Sequence, residues 1–525
     1  MKRINLFLLT LVSMFAFTFG VSALDVSNEQ EFIDAVKTDN KITLVKDITL
    51  ESDLTINDVE ITLDLNGHNI SLENGKRLKF TKGSLEITGT GVIEEVERVT
   101  AVLTVYGSTN ADDNNYSVLT IGKDVTIKGA HSVMVGATAK HAYGVVINVN
   151  GKLDANEFTN IANAVGTGIY INGTINDASA NAPVINLNST AIVDGVYAAG
   201  FATMNVNGAS IEGNTGIEIR SGILNVNGGT IRGTAIPTET TPNGNGSTTE
   251  GAGIAIVQHD TKNIIKVTVT KGLIEGYTAF YQNNTQKNDD ASVAKITLAI
   301  NGGTFNAING GTNAVYSENF GEFVTNGTFN KEVDAKYLAE KTVAEKSGEN
   351  YVVKPNVKAE SEGVKFESEE AFSKEYTLVV TPKSDEDVKD VTEKLTDAYK
   401  DNKKVTGLKL ISLQDISMVV DGEVVVMENG KYTISIPVKE ELRNFATYKV
   451  IYVSHDGEIE ETIDAKLVDG KVVFTTTHLS TYGVIGYNAP TMNPETSDGI
   501  ISYVAIMCAS VLAIGTIVTL RKRYN

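Results

Sequence analysis

The chain has 525 residues, a formal charge of -20 and a single cysteine. So acidic a body excludes nucleic acid and anionic lipid surfaces as its partners, because phosphate recognition needs clustered Lys and Arg. One cysteine excludes a disulfide-built fold, which leaves a large core or a repetitive ladder as the source of stability.

Taken in chain order, Lys2 and Arg3 precede an apolar run over 4–19 and the small-residue sequence Val21-Ser22-Ala23. This is the pattern of a secretory signal peptide over 1–23, with cleavage after Ala23, so the rest of the chain is expected to be exported. Loss of Lys2 and Arg3 with that segment takes the charge from -20 to -22. "SNEQEFIDAV" (27–36) then predicts a short amphipathic helix, with Ser27 as N-cap, Gln30 in the capping-box position, and Phe32, Ile33 and Val36 on one face. It is expected to cap the first coil of strands.

The middle of the chain is a repeat. "MNVNGASIEG" (204–213) laid over "LNVNGGTIRG" (224–233) matches Asn205, Val206, Asn207, Gly208, Ile211 and Gly213 with Asn225, Val226, Asn227, Gly228, Ile231 and Gly233. The same cadence runs through "LTIGKDVTIKG" (119–129), "INVNGKLDA" (147–155), "IYINGTIND" (169–177), "VTVTKGLIEG" (267–276) and "LAINGGTFNA" (298–307). Each unit reads as two short alternating strands hinged at an Asn-Gly, Gly-Gly or Lys-Gly corner, and none can bury its apolar face without neighbours. Roughly 20-residue units of this kind predict a parallel β-helix, here a solenoid of about 14 coils over 24–354, some of them missed by the cadence. Polar insertions at 108–117, 234–251 and 283–292 are expected as projecting loops.

Beyond about 355 the cadence stops, and strands separated by Asp-Gly and Asn-Gly turns predict a compact β-sandwich over 355–487. One helix is expected within 385–403, through Val388, Val391, Leu395 and Tyr399. A linker with the hexapeptide "NPETSD" occupies 488–498, an uncharged stretch fills 499–520, and the tail 521–525 carries Arg521, Lys522 and Arg523. Twenty-two uncharged residues make a helix of ~33 Å, enough to cross a bilayer. The basic residues after it place the tail inside and the body outside. The expected fold class is therefore all-β: a right-handed parallel β-helix solenoid, a small β-sandwich, and one C-terminal transmembrane helix.

Asn493, Pro494, Glu495, Thr496 and Ser497, with the span and the basic tail, resemble the sorting signal of Gram-positive cell-wall surface proteins, a Leu-Pro-x-Thr-Gly pentapeptide cut by sortase after Thr. Pro494 and Thr496 match it, while Asn493 replaces Leu and Ser497 replaces Gly. "ITLDLNGHNI" (61–70) and "KYLAEKTVAEKSGENYVV" (336–353) are similar to the opening and close of β-helical, pectate-lyase-like surface modules. "VVFTTTHLSTYGVIGY" (472–487) is similar to the last strands of a β-sandwich found near the wall anchor in Firmicutes surface proteins. The resemblance implies sortase and peptidoglycan as partners, a glycan or host-surface ligand, and localisation at the cell wall or cell membrane. The function it implies is that of an adhesin or surface-display protein. Two alternatives stay open: a wall-anchored polysaccharide lyase or glycosidase, and an uncleaved type I membrane protein.

Chemistry is sparse. Between Leu24 and Thr496 there are five arginines, at 77, 98, 220, 232 and 443, there is no Trp to stack on a sugar, and no HExxH spacing occurs. No catalytic, cofactor-binding or metal-binding residue is assigned, and no cofactor is expected. His68 and His478 read as structural. "ADDNN" (111–115) and "NDD" (288–290) read as solvated loops in preference to calcium sites. One constellation stands out: Lys128, Glu212, Arg232 and Glu275 between Ile and Gly of successive units, with Asp194 in "IVDG" and the pair Glu218 and Arg220. These are expected as outward ladder pairs, the other reading being a charged groove for a polar ligand.

Overall fold

Alternation of apolar and polar residues at period two persists along most of the chain, and it produces strands throughout. The computed structural model describes residues 23–490 apart from 74, 98–99, 137–142, 156–166, 173–180, 189–190, 239–248, 370–375, 421–422 and 428–429. The described chain is all-β with three short α-helices, in two units that divide between Asn356 and Val357, against 354/355 expected from sequence.

The first unit is a parallel ladder in three rows. In one row a column of aliphatic residues runs in register from Ile42 and Leu63 through Ile87, Ile121, Val149, Leu187, Val206, Val226, Val269 and Ile300 to Val324. A second runs from Ile48 through Ile93, Ile127, Ile192, Ile211, Ile231 and Ile274 to Phe305 and Phe329, whose rings stack at 5.0 Å. The third runs from Leu54 through Leu78, Leu103, Val133, Ile169, Val196, Ile217, Ile254 and Phe280 to Val315. All of these side chains are buried, and they form one continuous core.

The first column has eleven buried rungs, and the strand Leu24–Val26, with Leu24 opposite Ile42, adds a twelfth level, fewer than the 14 expected. The reason is that no rung is missed: the spacing is 20 residues from Asn205 to Asn225 but 43 from Arg232 to Glu275, which still pair directly. Insertions lengthen a turn of chain without adding a level.

Local chemistry explains the repeated residues. Asn residues at matching positions form two ladders, each amide donating to the Asn one rung earlier: Asn186 to Asn148 (2.9 Å), Asn205 to Asn186 (3.0 Å) and Asn225 to Asn205 (2.9 Å), with a parallel series Asn188 to Asn150, Asn207 to Asn188 and Asn227 to Asn207; Asn148 itself donates to the Thr120 hydroxyl at 3.3 Å. An amide is both donor and acceptor, so an in-register column satisfies both ends. At the corner, the register shifts between Val206 and Ser210, and Gly229 sits at φ 88 where a Cβ would lie 2.2 Å from the carbonyl oxygen of Ala209. Only glycine passes.

The two ends are covered differently. The helix Glu29–Thr38 buries Phe32 and Val36, as expected, with Ala35 in place of Ile33, which is only partly buried against the core. Its N-cap is Asn28, not Ser27: the Asn28 side chain accepts from the Glu31 N–H, while Ser27 donates its own N–H and hydroxyl to the Glu31 carboxylate. At the other end Val324–Phe329 pairs antiparallel with Asn350–Pro355, which folds back on Thr342–Ser347 and closes the edge.

The second unit is an antiparallel sheet of ten strands, continuous through the long strand Ile459–Val468. Its core holds Phe366, Ile416, Ile434, Val450, Phe474 and Val484. The helix Asp385–Tyr399, begun by a Ser384–Asp387 capping box, lays Val391 and Leu395 against Leu413, Ile451 and Ile485. No helix of the described residues is long and apolar enough to cross a membrane, and the stretch 499–520 lies outside them.

Candidate functional site

Ala23 is exposed, immediately before the first strand Leu24–Val26. The sorting residues Asn493, Pro494, Glu495, Thr496 and Ser497 and the tail residues Arg521, Lys522 and Arg523 lie outside the described residues.

The charged constellation separates into two arrangements. The first is a charge column in the second row, exposed as expected at Glu212 and Arg232 but buried at Glu275: Glu94 faces Lys128, Lys128 faces Asp154, and further along Glu212 faces Arg232 and Arg232 faces Glu275. Arg232 lies 3.6 Å from Glu212 and donates from Nε to Glu275 Oε2 at 2.8 Å, while Asn306 donates to the other Glu275 oxygen at 3.1 Å. Burial acts to raise the Glu275 carboxyl, but the hydrogen bonds from Asn306 and Arg232 and the Arg232 charge outweigh it and hold the group below its ordinary range. Asp194 is not in this column. Register places Val193 opposite Glu212, because Asp194 occupies the following turn at φ 68.

The second arrangement corrects the expectation for Glu218 and Arg220. They are not outward: Glu218 is 2% exposed and Arg220 0%. In the third row the side opposite the aliphatic column carries Thr104, Met134, Tyr170, Tyr197, Glu218, Ala255, Tyr281 and Tyr316 in register. His131 packs on Tyr170 at 5.1 Å and Tyr170 stacks on Tyr197 at 5.6 Å. Arg220 then donates from Nη1 to the Tyr197 hydroxyl at 3.0 Å and lies 4.0 Å from Glu218. Burial pushes the Tyr197 phenol up to about 12 and, with the Arg77 charge acting the same way, the His131 imidazole down to about 4. Both groups are thus neutral at physiological pH.

A cavity of about 50 Å³ opens here, lined among others by Thr167, Asp194, Tyr197, Thr215 and Glu218. It has room for a water or two and none for a sugar ring. Burial, and then the charge of Asp154, raise the Asp194 carboxyl. A larger cavity of about 580 Å³ lies at the end of the same row, bordered by Tyr316, Tyr337, Glu332, Asp334, Lys336 and Asn313.

The loops read as solvated are more committed than expected. Asn288 is buried and donates to Gln258 Oε1 and to the His259 carbonyl, both at 3.0 Å, and Asp289 caps a short helix and pairs with Lys262 at 2.6 Å. Asp113 accepts from Ser108 and Asn110. Among the described residues no group of three or more His, Cys, Asp or Glu is arranged to hold a metal ion. His68 lies 3.5 Å from Asp47, and His478 packs edge-on against Tyr452 at 4.6 Å and accepts at its carbonyl from Tyr482.

Sequence reasoning missed the third row as a row because most of its strands are three to six residues long and recur at uneven spacing; the one that the Asn-Gly cadence picks out, in "IYINGTIND" (169–177), reads as a unit of the repeat, whereas its strand Thr167–Ile171 pairs within the third row. No family model, curated protein or solved structure matches the chain.

Proposed function

We propose that the protein is an exported adhesin or surface-display protein, held at the cell wall, whose ladder is a stalk presenting a ligand-binding surface. The ladder is read as a right-handed parallel β-helix, the antiparallel unit as a β-sandwich spacer, and 499–520 as the membrane span that holds the chain for sorting. The observation that carries this reading is the eleven-rung column from Ile42 to Val324, a register kept while the spacing between levels varies from 19 to 43 residues. A scaffold of that kind tolerates long surface loops because each level is fixed by its neighbours alone.

The attachment chemistry is acyl transfer. A sortase thiolate attacks the carbonyl carbon of Thr496, the Thr496–Ser497 amide breaks, and the new amine leaves with Ser497 and the segment after it. An amine of the peptidoglycan precursor then attacks the thioester, forming an amide and returning the thiolate. Pro494 favours this by fixing its own φ and restricting Asn493 to extended backbone, the form in which a peptide enters a groove. The product, residues 24–496, carries -24, since Asp498 and three basic residues leave with the tail and Lys2 and Arg3 with the signal.

Digestion of the native cell wall with a muralytic enzyme tests this. Wall fragments joined to Thr496 are expected. Recovery only of chains ending in Tyr524 and Asn525, in detergent extracts, would replace sorting with simple membrane anchoring.

A further inference from the structure

The 580 Å³ cavity at the end of the third row falls within the ~300–1,000 Å³ range of small-ligand sites. Two features set its character. Tyr316 is stacked on Tyr281 with centroids 5.4 Å apart and planes 19° from parallel. Among the described strands, Val315–Ser317 pairs only with Thr278–Gln282, at the end of the row, and Tyr316 lines the cavity. Tyr337, also in the lining, is tied to the same strand: its hydroxyl donates to the Ser317 carbonyl at 3.0 Å and accepts from the Ser317 N–H at 2.9 Å.

Around this ring stand exposed hydrogen-bonding groups. Asp334 uses one oxygen to cap the turn Ala335–Tyr337, accepting from the Lys336 N–H at 3.0 Å, and Glu332 and Asn313 border the same space. Lys336 holds its ammonium 4.7 Å from the centre of the Tyr337 ring. Two carboxylates against one ammonium disfavour a polyanion. An aromatic face beside carboxylate and amide acceptors suits a ligand with one apolar face and a rim of hydroxyls.

We propose that this cavity binds a short neutral saccharide, with a pyranose face on Tyr316 and its hydroxyls donating to Glu332 and Asp334. The inference deepens the reading of the chain as a surface binding protein by naming its ligand class. It does not depend on covalent attachment to the wall.

The test is calorimetric titration of the full chain, in a detergent without a sugar head group, with maltotriose, cellotriose and chitotriose. At least one is expected to bind. Tyr316→Ala should weaken it by roughly tenfold or more, and Tyr316→Phe, which keeps the ring, by no more than about threefold. If Tyr316→Ala fails to fold, the double variant Glu332→Gln with Asp334→Asn, whose Asn still caps the turn, gives the same reading through the hydroxyl contacts. No binding of any of the three at about 10 mM would overturn the proposal. So would equal affinity in the folded Tyr316→Ala chain, or tighter binding of a sulfated oligosaccharide. Wall-linked chain that binds no saccharide overturns this inference and leaves the display reading intact; membrane-held chain that binds a saccharide overturns wall attachment and leaves this inference intact.

Discussion

Arg220 shows how far a residue's environment can depart from its sequence neighbourhood. "EIR" reads as an alternating, outward pair, yet the guanidinium is fully buried between the Tyr197 hydroxyl, the Val257 carbonyl and Glu218. A buried pair of this kind adds little net stability over an apolar one, but removing one partner leaves an uncompensated charge in a low-dielectric site. Arg220→Met is therefore expected to cost roughly 3–5 kcal/mol. Adding Glu218→Gln should recover a large part of it. Urea unfolding of the single and double variants measures both, and a double variant as unstable as the single would show that Glu218 does not depend on Arg220.

At the scale of the strand, the charge column couples three residues instead of two. Arg232 is shared between Glu212, with a side chain 56% exposed, and Glu275, 10% exposed. Reversing Glu212 and Arg232 together swaps one pair but places a carboxylate at position 232 against Glu275. The double variant Glu212→Arg, Arg232→Glu is therefore expected to stay below wild type by more than the ~1 kcal/mol of an exposed pair, because the carboxylate it meets is largely buried. Adding Glu275→Arg should bring it back. Unfolding midpoints of the three proteins check this; a double variant already equal to wild type would mean that Glu275 contributes nothing.

For the whole molecule, the ladder places a break anywhere in the same class of defect. Val226 and Ile231 are fully buried in two of the three columns. Val226→Asp or Ile231→Asp puts an unpaired carboxyl between rungs at a cost of several kcal/mol. Stability in a stacked array depends on contact between neighbouring levels, so the first unit should melt at a markedly lower temperature in either variant. Circular dichroism in the strand band measures it, and unchanged melting in both would refute the inward placement.

The sequence alone determined that the chain is all-β, that Val226 and Ile231 point inward, that Glu212 and Arg232 lie one above the other, and that a helix packs through Val391 and Leu395. Each of these comes from a short period, two for strands or 3.6 for a helix, or from a matched repeat, and such patterns are local. The tertiary structure alone decided the rung count, the displacement of Asp194 from the charge column, the burial of Arg220, and the meeting of Tyr316 with Tyr337 around a cavity. Those depend on which residues stack when sequence spacings between levels are as different as 20 and 43 residues. A linear pattern carries no trace of that register, because hydrogen bonds between levels ignore how much chain lies between them.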